Sequence, residues 1–95
     1  MLTSKQRAYL KGLANGLPAL YQVGKDGITE NMVKQFNDAL EAKEMIKVHV
    51  LENALSSARE AAEEAAKRTG AETVQVIGNK FILYKRSANH PVIEL

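Results

Sequence analysis

The sequence predicts a mixed α/β (α+β) domain in the order α-β-α-β-α-β-β, with one roughly four-stranded mixed sheet packed against its helices. Three observations lead there. Segments with apolar residues at helical spacing alternate with short runs at strand spacing. The resulting strand–helix–strand units favour right-handed crossovers and a partly parallel sheet. The last two strands are joined only by Gly78-Asn79-Lys80, a turn short enough to require an antiparallel pair.

Thr3 is a suitable cap for a first helix running to about Asn15. Leu2, Tyr9, Leu10 and Leu13 fall along one stripe of it, and Arg7 and Lys11 stand four apart on another side. Asn15-Gly16 ends the helix, and Leu17-Pro18 leads into a short apolar strand, Ala19 to Val23. Thr29 then caps a second helix, with Glu30 at its positive end. Met32, Val33, Phe36, Ala39 and Leu40 mark its buried face, and it ends near Ala42.

Met45 to Leu51 alternates: Ile46, Val48 and Val50 face one way, Lys47 and His49 the other, so one face is expected to be covered. Asn53 to Ser57 offers several caps, Ser57 with Glu60 making a capping-box pattern, for an alanine-rich helix that runs to Thr69 and stops at Gly70. Its expected buried face is Leu55, Ala58, Ala62, Ala65 and Ala66, small enough to sit close on a sheet. Thr73 to Ile77 and Phe81 to Tyr84 are the closing strands. Residues 1–86 thus read as one domain and 87–95 as a C-terminal tail, in which Pro91-Val92-Ile93 has the character to dock on the body.

Ninety-five residues, 45% hydrophobic and 25% charged, suit one folded domain. The absence of cysteine excludes disulfides, thiolate nucleophiles and cysteine-ligated metal sites. No apolar run approaches membrane-spanning length, and the opening residues lack the apolar core of a signal peptide, so a soluble cytoplasmic protein is expected. The net charge is only +2, but it is unevenly spread. Lys5, Arg7, Lys11 and Lys25 stand in an opening stretch free of acids, carboxylates dominate from Asp26 to Ala65, and basic residues return at Lys67 and Arg68 and again at Lys80, Lys85 and Arg86. If the ends meet in space, they build a positive face suited to a polyanion.

Gly24-Lys25-Asp26-Gly27 lies between the first strand and the second helix. Two glycines allow a sharp turn and close approach of a partner, and the helix start adds unpaired N–H groups beside Lys25. An ordinary strand-to-helix turn has the same composition. The loop lacks the pattern of a nucleotide-binding P-loop. His49 and His90 are the only histidines, no metal-ligand spacing is present, and Glu63-Glu64 reads as a solvated helix face. No catalytic residue, metal or cofactor is therefore assigned, and the chain does not read as an enzyme.

These segments together resemble a known family. Leu2-Thr3, Lys5-Gln6-Arg7 and Leu10-Lys11-Gly12-Leu13-Ala14 resemble the opening helix of the CRM (chloroplast RNA splicing and ribosome maturation) domain. Val23-Gly24-Lys25-Asp26-Gly27-Ile28-Thr29 matches its Val-Gly-x-x-Gly-[Leu/Ile]-Thr loop, and Ala39-Leu40-Glu41 with Met45-Ile46-Lys47-Val48 its central segment. Thr69-Gly70-Ala71, Val74 to Gly78 and Leu83-Tyr84-Lys85-Arg86 resemble its closing strands. A single domain of this size is similar to the bacterial YhbY-like members.

The resemblance implies a fold like the C-terminal domain of translation initiation factor three, and a non-catalytic protein that binds ribosomal RNA in large-subunit precursors. It implies that Gly24, Lys25, Asp26 and Gly27 act as a backbone-clamping loop, supported by Arg7, Lys11, Lys80, Lys85 and Arg86 as basic contacts. Asp26 departs from that role, because its carboxylate repels phosphate unless it points away, caps the helix or pairs with Lys25. The expected partner is RNA, with no membrane and no small-molecule substrate, and a monomer is favoured. The competing class is a protein-interaction module that docks on a ribosomal protein or assembly factor through the acidic middle.

Overall fold

Side-chain caps set all three helix starts in the computed structural model, which describes residues 2–95. Helix α1 (Ser4–Ala14) opens on Thr3, whose hydroxyl accepts the Gln6 N–H at 3.1 Å while the Gln6 side chain accepts the Thr3 N–H at 3.0 Å. Strand β1 (Ala19–Val23) follows, and Thr29 caps α2 (Glu30–Lys43) by accepting from Met32 N–H. Strand β2 (Met45–Val50) leads to α3 (Ala58–Thr69), opened by the Ser57–Glu60 capping box. Strands β3 (Glu72–Ile77) and β4 (Lys80–Tyr84) close the fold.

One four-stranded sheet has the order β1-β2-β4-β3. β1 and β2 are parallel, as their connection through α2 requires, and β4 runs antiparallel to both β2 and β3. The partly parallel sheet and the antiparallel closing pair are as expected, and β4 lies between β2 and β3.

The sheet has helices on both faces. On one, Phe36 and Leu40 of α2 and Ala61, Ala62 and Ala65 of α3 pack on Val23, Ile46, Val48, Val50, Phe81 and Leu83. On the other, Leu10 and Ala14 of α1 cover Met45, Val74, Ile82 and Tyr84, joined by Leu2, Leu17 and Ile93. β2 and β4 are therefore apolar on both sides over part of their length, where one covered face was expected of β2.

Two other expectations are corrected. Tyr9 and Leu13 are 51% and 43% exposed, because α1 presents a narrow face centred on Leu10 and Ala14 to a single layer. Leu55 is 92% exposed, because it precedes the Ser57 cap and is not on the helix; Ala61 and Thr69 are buried instead.

Residues 87–95 are tied to the body by two carboxylates of α2 and its cap. Glu41 accepts Ser87 Oγ–H at 2.7 Å, Ala88 N–H at 2.9 Å and Asn89 N–H at 3.0 Å. Glu44 is fully buried; its Oε2 accepts Ser87 N–H at 2.8 Å, and its Oε1 accepts Val92 N–H and Ile93 N–H, each at 2.6 Å. Its own N–H closes α2 onto Leu40, and its carbonyl receives the Lys85 N–H. Glu44 does this at φ +67°, the left-handed conformation usually left to glycine, and it is the only non-glycine there among the described residues.

Candidate nucleic-acid interface

Gly24-Lys25-Asp26-Gly27 forms a tight turn closed by Gly27 N–H donating to the Gly24 carbonyl at 3.0 Å. Its two central residues, Lys25 and Asp26, are exposed. The turn stands at the end of the sheet where β1 and β2 finish. Leu51 N–H donates to the Val23 carbonyl at 2.9 Å, and Val50 N–H donates to the Asn79 carbonyl at 2.7 Å. The glycine turn, the start of the 51–57 loop and the Gly78-Asn79 turn thus lie side by side.

The two glycines differ in what they require. Gly27 sits at φ +68°, so any side chain there is strained. Gly24 has ordinary φ, and a Cβ would meet only Asn53 Oδ1 at 3.8 Å and Leu51 Cδ1 at 3.9 Å, ordinary contact distances. The free fold therefore does not need glycine at position 24 for space. Asp26 neither caps α2, which Thr29 does, nor pairs with Lys25; its carboxylate stands in solvent.

The other expected residues divide among three places. Lys80 opens β4 at the same sheet end as the glycine turn, opposite His49. Lys85 and Arg86 follow Tyr84, which pairs with Met45 at the start of β2, so they leave the sheet at the far end, about 17 Å along the strands. Lys85 Nζ donates to the Thr69 carbonyl at 2.8 Å, where its charge also suits the C-terminal end of α3. Arg7 is turned inward: its guanidinium donates to the carbonyls of Thr73 and Val74 (3.3 Å to the latter) on edge strand β3, holding α1 to the sheet. Lys11 lies one turn on, half-buried. Arg68, not expected as a contact, donates to the Ile28 carbonyl just before α2 and lies 3.3 Å from Glu64.

Pairing registers show which basic residues share a surface. Because Val48 and Phe81 point into the α2/α3 layer, Lys47, His49 and Lys80 point to the other face. The row nearest the glycine turn is Gln22, His49, Lys80 and Ile77; the next is Ala19, Lys47, Ile82 and Gln75. None of these is acidic. The acids of the middle segment mostly lie in α2 and α3, where Glu30, Asp38 and Glu41 mix with Lys34 and Lys43, and Glu60, Glu63 and Glu64 with Arg59, Lys67 and Arg68. Sequence reading had placed Lys47 and His49 on one side of a strand; only the hairpin register adds Lys80.

Among the described residues no group of three or more His, Asp or Glu side chains gathers as a metal site. No described helix is long and apolar enough to cross a membrane.

Comparison with known proteins adds three findings. Residues 2–85 match the model of the CRS1 / YhbY (CRM) domain. The chain is 45% identical over 95 residues to a Bacillus subtilis protein named a probable RNA-binding protein, YqeI, covering all of this chain and 99% of that one. It is 34% identical over 86 residues to an RNA-binding protein of Haemophilus influenzae, covering 90% and 87% of the two chains. Among solved structures, SAV1595 from Staphylococcus aureus, described as a candidate RNA-binding protein, matches with TM-score 0.82 and 47% identity over 100% of this chain and 99% of that one.

Proposed function

The chain belongs to the CRS1 / YhbY (CRM) domain family, and from that premise we propose that it is a non-catalytic RNA-binding protein acting on ribosomal RNA in precursors of the large subunit. The observation that carries this reading is the exposed Gly24–Gly27 turn, with Lys25 outward and the start of α2 close behind it. A phosphate lying on this turn meets backbone at position 24 and an ammonium at position 25. The names of its relatives in Bacillus subtilis and Haemophilus influenzae support an RNA partner. Four of the five aromatics support contact through phosphate and shape rather than stacked bases: Phe36, Phe81 and Tyr84 are buried and Tyr21 is half-buried against Phe36, which leaves Tyr9 on α1 as the one exposed ring. Lys11, Lys25, Lys80 and Arg86 are the basic contacts with side chains free of the bonds that hold Arg7 and Lys85.

Titration of a ribosomal RNA fragment at several salt concentrations tests the reading. Affinity is expected to fall steeply, with a log–log slope of about −0.7 to −0.9 per phosphate neutralised. A flat response rules out a phosphate-led interface. Sedimentation of tagged protein with large-subunit precursors, lost on ribonuclease treatment, tests the ribosomal assignment; ribonuclease-insensitive co-migration supports docking on a protein instead.

The turn has its own test. Gly24→Ala should leave stability within about 0.5 kcal/mol of the parent, since its Cβ meets no close atom, yet weaken RNA binding by crowding the approach. Lys25→Ala should weaken binding modestly and shrink the salt slope by roughly one unit. Parent-like binding by both folded variants makes the segment a turn and nothing more.

A further inference from the structure

Helix α1 covers only part of its sheet face. It shields Met45, Val74, Ile82 and Tyr84, whereas the row nearest the glycine turn (Gln22, His49, Lys80 and Ile77) is not covered by it, and Lys47 lies half-exposed in the row between. Gln22 and Lys80 are exposed there, and Lys47 and His49 half-exposed. Such a sheet face either stays wet or meets a partner, and its charge decides which partner fits. These rows carry Lys47 and Lys80 without any carboxylate, in a chain with nearly as many acids as bases, 11 against 13. Lys80 stands directly opposite His49, which puts Lys47 diagonally across from it, about 7–8 Å away. The His49 imidazole is steadied by Asn79, whose amide nitrogen lies 2.9 Å from Nε2. Asn79 belongs to the turn whose carbonyl is bonded to Val50, beside the glycine turn, so the open rows and that turn share one rim of the sheet.

We propose that Lys47, His49 and Lys80, with Gln22, form a second RNA-contact surface that receives the phosphodiester backbone next to the segment held at the glycine turn. This rests on the RNA-binding reading above. The two ammonium groups take phosphate oxygens, and the Gln22 amide and the His49 ring offer hydrogen bonds to sugar hydroxyls or base edges. The charge of the face, not any apolar groove, selects a polyanion over a protein surface.

The test compares three proteins on one ribosomal RNA fragment: the parent, Lys47→Ala/Lys80→Ala, and Lys34→Ala/Arg59→Ala. The last loses the same two charges from exposed positions of α2 and α3 on the opposite layer. Circular dichroism checks that all are folded. The sheet-face variant should bind more weakly and lose about two units of salt slope, while the helix variant keeps the parent slope. RNA should also shift the Gln22 and His49 NMR signals in the parent. Equal slopes in the two variants overturn the proposal and leave RNA binding at the glycine turn intact. Failure of the parent to bind RNA removes both.

Discussion

Truncating Phe36 to alanine should remove about 3 to 5 kcal/mol of stability, the usual cost of deleting a fully buried aromatic ring. Phe36 has no exposed surface and sits between α2 and the sheet, in one cluster with Leu40, Ile46, Val48, Val50 and Phe81. Its ring also meets Tyr21 edge-on, with centroids 5.5 Å apart, a geometry worth about 0.5 to 1.5 kcal/mol beyond burial. Domains of this size hold about 5 to 15 kcal/mol in all, so the variant should sit near the edge of folding. Urea unfolding measures it, and a loss under about 1 kcal/mol would mean that the core does not close around this ring.

Replacing Glu44 should be nearly as costly, by a different route. Its carboxylate satisfies three backbone N–H groups of the C-terminal segment, and hydrogen bonds to a charged group contribute about 1.5 to 3 kcal/mol each. The segment can swing into water when they are lost, which limits the damage, so Glu44→Ala is expected to cost about 2 to 4 kcal/mol. Glu44→Gln keeps the shape yet turns an amide NH2 toward N–H donors on one side or the other, and it should destabilise as well. Glu44→Gly relieves the left-handed backbone by about 1 to 2 kcal/mol and still loses the carboxylate. Amide exchange at Ser87, Val92 and Ile93 reads the release directly; unchanged protection in Glu44→Ala would dismiss the carboxylate as the anchor.

Acid should open the same clasp. Burial alone would raise the Glu44 pKa, but N–H donors from Ile93, Ser87 and Val92 more than offset it and hold it below its ordinary value. The Ala88 N–H, with the Ser87 hydroxyl and Asn89 N–H, lowers Glu41 from 4.5 to about 2. A carboxylate with a depressed folded-state pKa stabilises the fold above its ordinary pKa and loses that contribution as pH falls. Protection of residues 87–93 should therefore decline as pH drops from about 4.5 towards 2, ahead of the core. A segment equally protected across that range would place its anchorage elsewhere.

Local chemistry made much of this protein readable from residues alone. Thr3, Thr29 and Ser57 cap the helices because a hydroxyl followed by free N–H groups is a short-range arrangement written in adjacent residues. Strand alternation in Met45–Val50 and the tight Gly78-Asn79 turn are equally local, so element order and the antiparallel closing pair follow directly. The glycine turn was legible for the same reason. Tertiary structure decided what depends on partners distant in sequence. Nothing local marks Glu41 and Glu44 as the acceptors that hold residues 87–93, or Arg7, expected as an RNA contact, as the link between α1 and the β3 edge. Charge segregation read along the chain suggested basic ends and an acidic middle; register instead brings Lys47 and His49 from that middle beside Lys80. A carboxylate or a lysine carries no local mark of its eventual neighbour, since pairing across a sheet or a returning segment is fixed only when the chain closes loops of 30 to 67 residues.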